Sequence, residues 1–368
     1  MGIHVTQCNK CNKCNGLERN TGQQSLIRRG DRNGLTSSMA LAIPPVPHGI
    51  PLMDGVARLS IAQSGAVFGW QQRTLKTAIN CVGVGVHSGR RVNLTIRPAA
   101  ADHGIVFRRI DLGREIEARF DNVSDTRLCT VLADPAMQSV RVGTVEHLMA
   151  ALSALAIDNA LIDVDGPEIP ILDGSAAPFV FLLDCAGSVD LDAPRRVIEI
   201  RRTVRVTANE AWAELRPLGP AARASDPVLE MDLSIDFAAS AIGRQSASLR
   251  LTPDGFRHEI AAARTFAHAN EVEQLQAAGL ARGGSLDNAI VVDGETILNP
   301  GGLRMDNEFA SHKLVDAVGD LALAGGRLHG RFVAHRTGHD LNNRLLRALF
   351  ADTAAWRAVA TDPLVAAA

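Results

Sequence analysis

Two similar α+β halves are what the sequence predicts, and three observations predict them. The segments Glu146-His147-Leu148-Met149-Ala150-Ala151-Leu152 and Ser311-His312-Lys313-Leu314-Val315-Asp316-Ala317-Val318 both open an apolar helix with a histidine near its start. Each helix is followed by a strand-like stretch, residues 161–165 after the first and 328–334 after the second. An Ala193-Pro194 turn separates them, which puts a boundary at Arg195-Arg196. Two such halves, each presenting one histidine to a shared cleft, account for the echo.

The elements can be justified along the chain. Residues 1–69 are rich in Asn, Gly, Gln, Ser, Arg and then Pro, with no sustained apolar period, so a disordered N-terminal extension is expected. It holds Cys8, Cys11 and Cys14, but a structural zinc site needs four ligands and only His4 is near as a fourth. A start nearer Met39 or Met53 is equally compatible with this composition. Gly83, Gly85 and Gly89 resemble a dinucleotide loop, yet Val92-Asn93-Leu94-Thr95-Ile96 alternates like a strand where that motif requires a helix. Asp163 and Asp165 lack the terminal Glu of a calcium loop, and Ser175 lacks a nucleophile elbow. The helix around residue 146 is expected to be capped by Thr144, and the helix around 312 to run from an Asp306 cap to a stop at Gly325-Gly326.

Chemistry is concentrated in that second helix. His312, Asp316 and Asp320 recur every four residues, while Leu314, Val318 and Leu321 occupy another face. His312 and Asp316, one turn apart, can reach one cation, and zinc suits a mixed nitrogen and oxygen pair. His147 is the best third ligand, and Glu146 beside it could take the proton of a water in the open fourth position, as in a zinc hydrolase. Alone, the Glu-His pair is equally compatible with an acid in a first helical turn and a structural histidine.

Seven motifs then extend the reading: QRTLK at 72–76, GVGVHSG at 83–89, TVEHL at 144–148, PEIPILDGSAAPF at 167–179, RTF at 264–266, HKLVD at 312–316 and GHDLNN at 338–343. In this order the chain, from about Gln71 to its C-terminus, resembles the UDP-3-O-acyl-N-acetylglucosamine deacetylases, zinc amidases of lipid A synthesis in Gram-negative bacteria. The resemblance implies two β-α-α-β domains, residues 70–194 and 195–368, packed as a layered sandwich with helices between sheets and one insert per domain. It implies one Zn2+ per chain on His147, His312 and Asp316, with Glu146 as general base and His339 as general acid. Asp320 would orient His339, and Thr265 would donate to the oxyanion. Lys313 would face the substrate diphosphate, Phe266 would join the substrate contacts, and Asp236 and Phe237 would meet the uridine end. The second insert, near residues 271–292, would accommodate the acyl chain along Leu275, Leu280, Gly284 and Leu286; a core-covering amphipathic helix would show the same leucines. His268 and Arg127 stand where the family commonly has an aromatic and an apolar residue, and the chain contains no Tyr.

Composition sets the remaining bounds. With 368 residues and 46% hydrophobic content the chain can fill two ordinary cores. A net charge of −2 with mixed signs gives no footprint for nucleic acid. No apolar run approaches the roughly 18 residues of a membrane span, so a cytoplasmic monomer acting on a small UDP-sugar lipid precursor is expected. Rival readings are a UDP-lipid binding protein without chemistry, which would not need both Glu146 and His339, and a zinc amidase for another nucleotide sugar.

Overall fold

A computed structural model describes residues 71–219 and 227–360; the Cys8, Cys11 and Cys14 group and the expected extension through residue 69 lie outside the described residues. The alternating segment at 91–98 forms a strand with Val92, Leu94 and Ile96 buried, which disposes of the dinucleotide reading. It pairs antiparallel with Ile79–Val84 and with Ala160–Val164, and the latter runs parallel to Ile105–Arg109, which in turn pairs with Arg114–Glu117. These five strands make one sheet. A smaller sheet of Val123–Asp125, Val131–Asp134 and Met137–Val142 is inserted before the first helix, α1, Glu146–Ala154. A second helix, α2, spans Ala177–Ala186.

The later part of the chain is built around one long strand, Arg327–His335. It pairs parallel with Arg196–Ile200 and Leu229–Asp236 and antiparallel with Ala211–Arg216, within a seven-stranded sheet. Helix α3, Ala269–Ala277, lies between the short strands Phe266–His268 and Ile290–Asp293. Helices α4, Glu308–Ala322, and α5, His339–Ala351, flank the long strand in sequence. The echo read in the sequence is visible here: α1 leads into the central strand of the five-stranded sheet and α4 into the central strand of the seven-stranded one. The fold is mixed α+β.

Helices α1 and α4 pack directly on each other, and α4 also meets the strands Leu229–Asp236 and Arg244–Arg250. Every residue of α4 from Glu308 to Leu321 except Lys313 is buried. A helix covered on all sides has no solvated face, so its polar residues must find partners inside the protein. Leu314, Val318 and Leu321, at most 2% exposed, supply the apolar contacts, each contributing roughly 1.5–3 kcal/mol by area removed from water.

Three local expectations are corrected. The cap of α4 is Asn307 rather than Asp306, and it makes no side-chain cap hydrogen bond; the first-turn acid Glu308 instead accepts from the Arg304 and Arg264 backbone N–H groups. Thr144 does not cap α1, which starts after Val145, because the Thr144 hydroxyl donates to Glu168. Residues 193–194 are not a turn but the end of the strand Ser188–Pro194, paired with Gln71–Leu75. Arg195, 1% exposed, follows it with its guanidinium 2.8 Å from Asp158.

The contact between α1 and α4 is backbone against backbone at Gly319, where a Cβ would lie 2.0 Å from the Glu146 carbonyl oxygen. Gly319→Ala is expected to cost on the order of 3 kcal/mol or more by forcing the helices apart, lowering the thermal midpoint by roughly 2–4 °C for each kcal/mol. An unchanged midpoint in a thermal scan would show that the helices separate freely.

Candidate active site

His147, the second residue of α1, meets His312 and Asp316 of α4 where the helices touch. Both Nε2 atoms converge on Asp316 Oδ1, at 3.5 Å from His147 and 3.3 Å from His312, and the three donor atoms lie within 4.8 Å of one another. His312 Nδ1 is 3.1 Å from the Ala263 carbonyl oxygen. A carbonyl only accepts, so Nδ1 carries the proton and Nε2 turns a lone pair toward the carboxylate. Burial lowers His312 to about 4 despite the Asp316 charge, so the ring is neutral. Two acceptors facing each other at this distance call for a cation between them, and these residues fit a divalent metal. Burial alone would raise Asp316, but its charged neighbours, the Lys313 ammonium among them, hold it well below the usual carboxylate range. Lys313 directs Nζ to the other oxygen, Oδ2, at 3.0 Å, and lies 5.5 Å above the Phe266 ring.

Glu146 and His339 line the same cavity as the three donors and are bonded to other partners. Glu146 Oε2 accepts from the Thr130 N–H at 3.1 Å, and Oε1 is 3.9 Å from His339 Nε2. Burial raises the Glu146 pKa, against the pull of His339 and His147. His339 is the first residue of α5, where the helix dipole disfavours an imidazolium. Burial also pulls it down, but Asp320 Oδ2, 2.9 Å from Nδ1, reverses both effects and raises it to about 9. Asp320 is fixed in turn by the Thr130 hydroxyl on Oδ1 at 2.5 Å and by Asn342 on Oδ2 at 2.9 Å.

A cavity of about 360 Å³ opens on these groups, lined by Glu146, His147, His312, Asp316 and His339 together with Thr265, Phe266 and Lys313. Thr265 is fixed through its backbone, its N–H on the Gly174 carbonyl and its own carbonyl accepting from Ile290, both at 2.8 Å. Its neighbour Arg264 makes a two-pronged pair with Glu308, which is fully buried. Leu275, Gly284 and Leu286 line the same cavity, and α3 buries none of its residues. Leu280, 37% exposed, is outside the lining. Asp236 and Phe237 are also outside it: Asp236 pairs with Arg244 at 3.0 Å, and Phe237 packs edge-on behind Phe266 at 5.5 Å. His268 leads into α3 with its ring 6.0 Å from Phe237, and Arg127 is ion-paired to Asp125 at 2.6 Å.

The sequence reading missed Thr130, Asn342, Glu308, His87 and Glu168. His87 lines the cavity, and the buried Glu168 accepts from the backbone N–H groups of His87 and Ser88. Asn342 falls inside the motif at 338–343, whereas Thr130 lies in none of the seven. Their partner Asp320 is 190 positions from Thr130, so no local pattern announces the bond.

Three converging metal donors, a buried carboxylate and a charged imidazole in one cavity define the class as a metal-dependent hydrolase site. The comparisons specify it further. Residues 72–351 match the family model described as UDP-3-O-acyl N-acetylglycosamine deacetylase, and the chain belongs to that family. A UDP-3-O-acyl-N-acetylglucosamine deacetylase of Vibrio cholerae serotype O1 is 49% identical over 290 residues, covering 78% of this chain and 92% of the relative. Its namesakes in Actinobacillus pleuropneumoniae and Idiomarina loihiensis are 46% and 47% identical, covering 78% and 79% of this chain and 93% and 94% of their own lengths. Among the described residues no helix is long and apolar enough to cross a membrane.

The purified chain should bind one divalent metal at this site, and His312→Ala or Asp316→Ala should each abolish it. Elemental analysis after dialysis checks this; full occupancy in both variants would remove the ligand assignment.

Proposed function

We propose that the chain hydrolyses the acetamide of UDP-3-O-[(3R)-3-hydroxyacyl]-N-acetylglucosamine to UDP-3-O-acyl-glucosamine and acetate, the committed step of lipid A biosynthesis, using one Zn2+ per chain on His147, His312 and Asp316. The observation that carries this reading is the 3.9 Å approach of a buried carboxylate, Glu146, to a charged imidazole, His339, beside the three-donor cluster. When bound, zinc supplies Lewis acidity for the amide carbonyl and lowers the pKa of water. Glu146 takes the proton as the water oxygen adds to the carbonyl carbon. The Thr265 hydroxyl donates to the developing oxyanion. His339 then gives its proton to the amide nitrogen as the C–N bond breaks, because an amine leaves poorly unless protonated; Asp320 keeps that imidazole charged and aimed. Only a base and an acid held together need this arrangement, which disfavours a binding protein without chemistry.

Lys313 and Phe266 sit on the substrate side, with Lys313 as the point charge for the diphosphate. Asp236 and Phe237 take the uridine end, reached past Phe266. The acyl chain runs along Leu275, Gly284 and Leu286, with the exposed Leu280 at the mouth. A nucleotide-sugar substrate favours a cytoplasmic enzyme, and we read the chain as a monomer whose domains divide at Arg195-Arg196.

The deciding experiment incubates purified protein with UDP-3-O-acyl-N-acetylglucosamine and with its unacylated analogue and measures acetate; no release from the acylated compound would end the reading. Glu146→Ala and His339→Ala are expected to lower kcat about 10²-fold or more with metal retained. The required proton on His339 is present below its pKa and lost above it. kcat/KM should therefore fall as pH rises through that value, about 9 before the metal's charge lowers it, and the limb should vanish in His339→Ala. A limb that persists there would assign the acid elsewhere. Gly284→Leu can only add bulk, since a Cβ there already lies 3.3 Å from the Ala281 carbonyl oxygen. It should erase the preference for long acyl chains, by roughly tenfold for each 1.4 kcal/mol lost, in a folded protein; an unchanged ratio of long-chain to short-chain efficiencies would mean the chain binds elsewhere.

A further inference from the structure

We infer that Thr130 is a positioning residue that holds the base and the acid's carboxylate partner in one frame; the inference rests on the deacetylase reading of this site. Thr130 is 2% exposed and immediately precedes the strand Val131–Asp134. It makes two bonds to two helices. Its backbone N–H donates to Glu146 Oε2 on α1 at 3.1 Å, and its hydroxyl donates to Asp320 Oδ1 on α4 at 2.5 Å. His339 closes the ring from α5, with Nδ1 2.9 Å from Asp320 Oδ2 and Nε2 3.9 Å from Glu146 Oε1.

Each member of this ring therefore has one direction left to it. A carboxylate with one oxygen satisfied by Thr130 can turn only its other oxygen to His339, which fixes which ring nitrogen carries the shared proton and points the opposite nitrogen at Glu146 and the cavity. Glu146, held through Oε2, likewise keeps Oε1 for the cavity. Thr130 is itself neither one of the three metal donors nor a lining residue of the cavity, so its effect should appear in turnover rather than in binding.

The test replaces the hydroxyl while leaving the backbone bond: Thr130→Val, with Thr130→Ser as the conservative variant and Thr130→Ala should the valine protein be insoluble. The expected result is a kcat lowered about 10–100-fold, KM within about threefold, metal content unchanged and recovery to within about threefold in Thr130→Ser, the pattern of an interaction made for the transition state. In an Asp320→Asn background, Thr130→Val should cost less than about threefold more, because residues acting through one another are not additive. A wild-type kcat in Thr130→Val, a loss that Thr130→Ser does not repair, a loss of metal, or full additivity with Asp320→Asn would each overturn the inference. Acetate release by the unsubstituted enzyme separates the two failures. Its absence overturns the deacetylase reading and this inference together, and its presence beside a fully active Thr130→Val overturns the inference alone.

Discussion

The site depends on one close contact, the crossing of α1 and α4 at Gly319. No side chain intervenes there: the Gly319 Cα faces the Glu146 carbonyl so tightly that an added Cβ would lie 2.0 Å from the oxygen. The position lies between Asp316 and Asp320 on one helix and opposite Glu146 and His147 on the other. Ordinary helix pairs sit 8–10 Å apart depending on the side chains between them, and glycine permits the short end of that range. Short side chains such as Asp can then share a centre with residues of another helix. Glycine inside a helix costs about 1 kcal/mol relative to alanine, a small penalty against the geometry that it allows.

The buried stripe on α4 explains how one helix serves two neighbourhoods. Glu308, His312, Asp316 and Asp320 are all buried and spaced by four. Steps of four on a helix of 3.6 residues per turn advance about 40° each, so the stripe winds through about 120° over its length. Glu308 thereby faces Arg264 and secures the segment carrying Thr265, His312 and Asp316 face His147, and Asp320 reaches Thr130 and His339. Each buried charge has a counter-charge or several donors, which is the condition for keeping it inside. Breaking such a pair by removing one partner typically costs 3–5 kcal/mol, so this machinery is rigid for the same reason that it is buried.

What the sequence disclosed, and what it withheld, follows the range of each interaction. The four-residue recurrence of His312, Asp316 and Asp320 is local, and so is the adjacency of Glu146 and His147; both could be read directly, as could the strand at 92–96. The resemblance, not any spacing, brought in His339 and Thr265. Helix caps were misread because tertiary partners claimed the capping groups: Thr144 turned to Glu168, and Glu308 drew the backbone N–H groups of residues 264 and 304. Gly319 stood inside the quoted helix without a signal, since an interior glycine means close approach only once the approaching chain is known. Thr130 was invisible for the same reason.

The part of the cavity lined by Leu275, Gly284 and Leu286 is built on another principle. Helix α3 buries none of its residues, and the loop after it is held by the Asn288 and Asn299 side chains, which donate to the carbonyls of Gly283, Leu286 and Ala289, and by close backbone contacts. The Gly283 N–H donates to the Val86 carbonyl at 3.0 Å, and a Cβ on Gly283 would lie 2.3 Å from the Gly85 oxygen. Gly174 meets the Asn288 carbonyl as closely, at 2.0 Å for an added Cβ, while its own carbonyl accepts from Thr265. The loop is thus tied to the catalytic frame through atoms that every residue type shares, at positions where only glycine fits. Leu275, Gly284 and Leu286 line the cavity without being buried, so side-chain bulk changed there alters its shape while the backbone hydrogen bonds that position the wall stay intact.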